Sequence, residues 1–354
     1  MTRQDVVRVR FFAEGGAAPR DAEFRPTVQS LPRPLFAYAY QIADNRNANG
    51  DGQVQRGEGL TIYLTVKNVG IGKSYETQAN LRNLTGDGLY LRAGRFELPS
   101  MAPGDVREVA FTFDVLDALS DNFAKVELSV SDRDLRVVSS EKLVIPVSRS
   151  GLSIAQANGK ALADGAIAVR AQPIAGSIAF GEIAKGTVVD KLGTFGSFTK
   201  IGLDGQRFGF VDTASLKDGG GGGGKVTLKP LLTRSPPLLD VKPAALATRG
   251  DKIRIEGTAT DTDRVADVYV FVGSQKVFYQ SNRKSSEPTK LGFAFDANLQ
   301  PGINVVTVVA RENEDTASRH TMVVRRDGPS GEALPTPKGD EFGADWEFVG
   351  GDDD

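Results

Sequence analysis

The residues best suited to chemistry lie together in one stretch, Asp44-Asn45-Arg46-Asn47-Ala48-Asn49-Gly50-Asp51-Gly52-Gln53-Val54-Gln55-Arg56-Gly57-Glu58. Oxygen-bearing side chains recur at alternate positions, a glycine marks a sharp turn, and a glutamate closes the run. A chain wraps a hard cation in this way because only every second side chain faces the ion. In helix-loop-helix calcium loops the ligands fall at the first, third, fifth, seventh, ninth and twelfth positions, with glycine at the sixth. Here Asn47, Asn49 and Asp51 take the first three of these places. Gly52 takes the sixth, the Gln53 carbonyl the seventh, Gln55 the ninth (directly or through water) and Glu58 the twelfth. All donors are oxygen, which suits Ca²⁺ over Zn²⁺. Asn47 stands where aspartate is usual, so charge comes from Asp51 and Glu58, with Asp44 a third ligand from outside the frame. So few carboxylates imply affinity in the ~10⁻⁴–10⁻³ M range of extracellular modules. The flanks read as strands, so the site would be a structural clip inside a sandwich. The alternative is a turn-rich loop whose Asn and Asp side chains bond their own backbone.

No comparable constellation suggests catalysis. The single histidine, His320, lies in the strand-like run Arg319-His-Thr-Met-Val-Val324, where packing or exposure is the expected role. A Ser-His-Asp triad would have to use it, and no Gly-x-Ser-x-Gly elbow accompanies it. The acidic pairs Asp132/Asp134 and Asp261/Asp263 sit at turns and read as solvated turn residues. With no cysteine and one histidine, a zinc site is not expected. No catalytic residue is assigned.

The elements that must position the loop have a period of two. Leu60-Thr-Ile-Tyr-Leu-Thr-Val-Lys67, Val109-Ala-Phe-Thr-Phe-Asp-Val115, Ala124-Lys-Val-Glu-Leu-Ser-Val-Ser131 and Lys142-Leu-Val-Ile-Pro-Val147 alternate apolar and polar residues. Such strands bury one face each. Turn clusters at Gly86-Asp-Gly88, Pro103-Gly-Asp105 and Asp132-Arg-Asp134 separate them, the spacing of a sandwich. The chain has 354 residues, suited to several domains, and its composition is that of a globular protein. A net charge of −2 argues against nucleic acid as a partner. No apolar run approaches the ~18–20 residues needed to span a bilayer. The opening residues carry no secretory leader and read directly as a strand, Val6-Val-Arg-Val-Arg-Phe11, which suits a fragment of a longer protein.

The expected organisation is all-β and multidomain: two immunoglobulin-like β-sandwiches flanking a small SH3-like barrel. Residues 1–34 form an entry strand and a Pro-rich connector, and 35–148 the first sandwich with the calcium loop. Residues 151–217 form the barrel and 218–234 a linker built on the six glycines from Gly219. Six glycines form a flexible coil with a span of about 14 Å, and no phosphate loop, since no Gly-Lys-Ser/Thr exit follows them. Residues 235–326 form the second sandwich and 327–354 a disordered acidic tail.

Three resemblances add to this. Val169-Arg170, Lys185-Gly186-Thr187 and Gly209-Phe210-Val211 follow the order seen in bacterial SH3 domains, over about fifty residues of the chain. Phe198 and Phe210 stand where that family carries tryptophans, so the resemblance implies them as ligand-binding residues of a peptide groove. Lys252-Ile-Arg-Ile-Glu-Gly-Thr-Ala-Thr260, Asp267-Val-Tyr-Val-Phe-Val272 and Pro301-Gly-Ile-Asn304 resemble bacterial immunoglobulin-like domains appended to secreted enzymes. Leu31-Pro-Arg-Pro-Leu-Phe-Ala-Tyr38, the Asn-Gly-Asp-Gly loop, Val66-Lys-Asn-Val-Gly-Ile-Gly72, Leu81-Arg-Asn-Leu84 and Phe111-Thr-Phe113 are together similar to the β-rich C-terminal extension of some bacterial carboxy-terminal-processing (tail-specific) serine peptidases. That family's PDZ and Ser-Lys portions are not in this sequence, so the resemblance transfers no catalytic residue.

These readings imply a non-catalytic, envelope-associated binding and spacer module, periplasmic or secreted, that recognises cell-wall or protein peptides and holds a structural Ca²⁺. The alternative is an accessory C-terminal part of a secreted serine peptidase, partnered with an upstream catalytic domain.

Overall fold

Strand Phe36–Arg46 shows how local sequence decides placement. Its large residues Phe36, Tyr38, Tyr40 and Ile42 face one way, into a sandwich core. Its small residues Ala37, Ala39 and Ala43, with Gln41, face the other way and are equally buried. A strand buried on both faces has a layer on each side. The protein's structure, a computed structural model, describes residues 2–12, 20–219, 226–314 and 316–337. Among them the chain is nearly all β, with a single 3₁₀ turn at Thr213–Ser215 and no α-helix. It divides into two units, one of Arg33–Ser235 and the other of the chain before and after it.

In the inner unit, two sheets pack face to face. One runs Phe36–Arg46, Gly59–Asn68, Val106–Val115, Leu89–Ala93; the other runs Arg95–Leu98, Thr77–Asn83, Phe123–Asp132, Val137–Ser148, Val54–Gln55. All pairings are antiparallel except the last. Leu60, Ile62, Leu64, Phe111, Val126 and Leu128 are fully buried between them, as the alternation requires. Beyond Ser148 a nine-stranded antiparallel sheet follows. Its strands share one core of Ala161, Val169, Ile183, Val189, Ile201 and Val211, so the sheet curls around itself as a small barrel does.

The stretch read as a linker contributes to this unit. Leu228–Pro230 pairs with Ala179–Ile183, and Arg234 exchanges backbone hydrogen bonds with Tyr38. The Arg234 guanidinium also donates to Glu141 Oε1 at 2.7 Å, and the Tyr38 hydroxyl to Glu141 Oε2 at 3.2 Å. The tether reading concerns the glycines themselves, and all of them after Gly219 lie outside the described residues, as does the tail beyond Pro337.

In the outer unit, Leu238–Val241, Lys252–Thr260 and Lys290–Asn298 form one sheet. Ala247–Thr248, Ala317–Arg326, Gly302–Arg311, Asp267–Val272 and Gln275–Ser281 form the other. Ile255, Val268, Val270, Val306, Val308 and Val324 fill the core. The Pro301-Gly302 turn places Gly302 at φ +78°, and the Asn304 side chain bridges Gln300 N and O across it. The N-terminal residues, expected as an entry strand and connector, pair as Arg3–Gln4 with Thr27–Val28 and Val7–Val9 with Ala22–Phe24. They belong to this unit: Arg325, buried, donates to Gln4 O and Oε1 and to Asp327, while Arg25 reaches Asp327 and Gly331 O.

Candidate functional site: an oxygen-lined loop between sandwich and barrel

The loop leaves the strand Phe36–Arg46 where its register shifts, between Ala43 and Arg46. That irregularity turns Asp44 inward, and its side chain is 1% exposed. Asp44 Oδ1 accepts the Gly52 N–H at 3.0 Å, whereas Oδ2 is buried and has no partner. Asp51, also 1% exposed, accepts from Gln53 N through Oδ1 at 2.6 Å and from Leu152 N through Oδ2 at 2.5 Å. Glu58 accepts from Asn49 N at 3.4 Å and from Gln55 N at 2.8 Å. Asn49 caps Asp51 N through Oδ1 and donates through Nδ2 to Gln55 Oε1. Gly50, Gly52 and Gly57 all adopt positive φ, which lets the chain fold back on itself.

The carboxylates of Asp44, Asp51 and Glu58 are thus all buried in the one loop, and Asp51 and Glu58 act on Asp44 electrostatically. Burial pushes the Asp44 carboxyl up to about 7, and the charges of Asp51 and Glu58 add to the rise. Burial, with Asp51 nearby, raises Glu58 as well. A bound cation would reverse this, since it favours the charged form of each group. Among the described residues, no three His, Cys, Asp or Glu side chains are gathered tightly enough to hold an ion outright. The donor chemistry is nonetheless all oxygen, the kind a hard cation takes, and Asp44 Oδ2, deep in the loop, is unsatisfied.

The frame that begins at Asn47 is not the one the backbone builds. Asn47 is exposed, with φ +46°, and serves as a turn residue. Asp44 is instead the residue turned inward at the start of the loop, its carboxylate fastened to the turn glycine. Gln53 and Gln55 are half-buried; Gln53 contributes its N–H to Asp51, and the Gln55 side chain is engaged with Asn49.

The loop is also not confined to the sandwich. A Cβ on Gly52 would lie 2.7 Å from both Ala171 O and the Phe210 ring, so the turn is seated against the barrel. Lys200, from the barrel, donates its ammonium to Gly50 O and lies 3.9 Å from the Phe208 ring centroid. Burial lowers the Lys200 pKa, although Asp44 and Asp51 oppose this. Arg207 is held by two rings, with its guanidinium 4.7 Å from the Tyr63 centroid and 5.3 Å from that of Phe180. It donates to Gln41 Oε1 at 2.8 Å, and Gln41 Nε2 donates to Phe208 O at 2.6 Å. A cavity of about 530 Å³ opens beside these groups, with Asp44, Asn45, Asp190, Lys200, Arg207 and Phe208 in its wall.

Phe198 and Phe210 have a different setting from a peptide groove. Phe210 is fully buried and Phe198 is 9% exposed, and with Phe208 and Ile154 they form a closed cluster. Phe208 meets Phe210 edge to face at 5.8 Å. Sequence reasoning missed Gln41, Lys200, Arg207 and Phe208. Its one available signal was the row of alanines in Phe36–Arg46, which leaves room for a neighbour on that face.

The other candidates behave as turn and strand residues. His320 is exposed on its strand opposite Val308. Asp132, expected as a solvated turn residue, is instead 1% exposed, because its carboxylate is drawn in to cap Leu135 N and hold Tyr75 N at 2.6 Å. Asp261 accepts from Asp263 N at 2.8 Å. Compared with known proteins, the chain matches no protein-family model and no curated protein sequence.

Proposed function

We propose that this protein is a non-catalytic binding and spacer module whose inner unit is stapled by a divalent cation, Ca²⁺ by its donor chemistry. The observation that carries the reading is Asp44 Oδ2: a buried carboxylate oxygen without a partner, beside two further buried carboxylates. A buried carboxylate oxygen without a partner is costly, and a cation is a partner that oxygen donors can share. Asp44, Asp51 and Glu58 would hold the ion. The ion's part is to neutralise the loop and hold its ends together. A site of two or three carboxylates fills at millimolar calcium, a condition met outside the cytoplasm. An envelope or secreted setting follows, in keeping with the family resemblances of the modules.

The binding role falls to the barrel and its cavity, with cell-wall or protein peptides as the expected ligand class. Phe198 and Phe210 are enclosed, so the groups available to such a ligand are those of the cavity wall, Asp190 and Lys200 among them.

The test is thermal melting in chelator and in millimolar CaCl2. A ligand bound only by the folded state adds RT ln(1 + [L]/Kd), about 1.4 kcal/mol at ten times Kd. The transition of the inner unit is expected to rise by a few degrees. Asp44→Asn should abolish the rise. No rise in the parent protein, or an equal rise in Asp44→Asn, rejects the staple. Sedimentation with purified cell wall tests the ligand class, and failure of both the parent protein and Asp190→Asn to sediment rejects it.

A further inference from the structure

The loop touches the barrel and the crossing segment at consecutive positions, so whatever fixes the loop also fixes the barrel. We infer that the ion acts as a lock on the joint between sandwich and barrel, with Asp51 as the residue that transmits it. The inference rests on the cation reading above and concerns what the bound ion controls. Asp51 divides its carboxylate between two tasks. Oδ1 holds the loop through Gln53 N, and Oδ2 holds Leu152 N at 2.5 Å, in the segment that leaves the sandwich after Ser148 and enters the barrel at Ala155. That segment lies directly on the loop. A Cβ on Gly151 would fall 2.4 Å from Asn49 Nδ2 and 2.5 Å from Asp51 Oδ2. On the barrel side, Lys200 binds Gly50 O and Gly52 is seated against Phe210 and Ala171. Positions 49 to 52 thus form one contact surface for both neighbours.

Without an ion, Asp44 Oδ2 is left buried and without a partner. Opening the loop lets water reach that oxygen, and opening it withdraws Asp51 from Leu152 N. With an ion bound at that oxygen, the loop stays closed and the crossing segment is pinned. Asp44 is the sensor because its free oxygen has no other role. Asp51 is a positioning residue, acting on the barrel through Leu152. The joint is then stiff where the ion is plentiful and loose where it is scarce.

Hydrogen exchange on the full chain tests this, read by mass spectrometry in chelator, in CaCl2 and in NaCl of matched ionic strength. A bound ion disfavours local opening by a factor of 1 + [L]/Kd, so at ten times Kd exchange at Leu152 should slow about tenfold. Loop amides at 49–55 should slow in parallel, and Asp44→Asn should remove both effects. If calcium slows exchange in the loop and raises the melting point while 150–154 is unchanged, the staple stands and the lock is overturned. If NaCl matches CaCl2, screening accounts for the effect and the lock is likewise overturned. If calcium changes neither segment, both readings fail.

Discussion

The loop Asp44–Glu58 and the turn Asp261–Asp263 use the same local device in different surroundings. In each, an aspartate accepts the N–H two residues on: Asp51 from Gln53 at 2.6 Å and Asp261 from Asp263 at 2.8 Å. In each, a buried carboxylate oxygen has no partner, Oδ2 of Asp44 and Oδ2 of Asp261. Burial raises the pKa of both. The difference is the company they keep. Asp261 has one acidic neighbour, Asp263, which is exposed. Asp44 has two, Asp51 and Glu58, which are 1% and 7% exposed. Acidic residues at close spacing are common at turns. Burial of several of them in one loop is what distinguishes the first, and the barrel seated against that loop contributes to the burial.

Removing the barrel's cover over the loop has the largest expected effect. Phe210→Ala empties a fully buried aromatic site behind the loop and should destabilise the inner unit by about 4 kcal/mol, with the outer unit's transition unchanged. Two resolved calorimetric transitions moving together would contradict this. Gly52→Ala should cost about 3 kcal/mol, because it adds left-handed strain (φ +83°) to a Cβ with no room. Gly86→Ala, at φ +81° with nothing within 4 Å, should cost only the strain, about 1 kcal/mol. Equal denaturation midpoints for the two would show that the loop does not press on the barrel.

Smaller effects sharpen the contrast. Asp44→Asn should lose the calcium stabilisation of about 1.4 kcal/mol at ten times Kd, while Asp261→Asn keeps all of it. A chelator titration followed by circular dichroism separates them. The smallest effect concerns burial of ionisable groups elsewhere in the same sandwich. Burial and the Glu141 charge push the Tyr40 phenol up to about 12, above its usual 10. A raised folded-state value means stability is whole below pH 10 and declines as pH rises toward 12. Tyr40→Phe should flatten that decline by about 1 kcal/mol, discounted for its partial exposure, and alkaline denaturation midpoints measure it.

Much of the architecture was legible because period-two patterning is a local property. Lys252–Thr260 and Phe123–Asp132 form strands where alternation predicts them, and the Pro301-Gly302 turn lies where its residue types require. Pairing between distant segments has no local signature. Nothing in Arg3–Gln4 indicates that its carbonyl meets Arg325, and nothing in Leu228–Pro230 marks it as the barrel's edge strand. The loop's wealth of oxygens was legible in the sequence, and which of its residues turn inward was not. Spacing alone selects Asn47 as the leading residue. The register shift between Ala43 and Arg46, which spacing cannot show, turns Asp44 inward instead. For Phe198 and Phe210, the pattern of an SH3-like strand does not reveal whether an aromatic faces a ligand groove or a neighbouring loop.

The order of the units along the chain has a mechanical consequence. The segments before Arg33 and after Ser235 belong to one unit and are held together by the contacts of Arg325 with Gln4 and of Arg25 with Asp327. Tension applied between the two ends of the described chain is therefore borne first by those contacts. The inner unit, inserted between them, carries no load until they part. Arg325 and Arg25 thus act as a fuse. Below its breaking force, the barrel and its loop are shielded from any pull transmitted along the polypeptide.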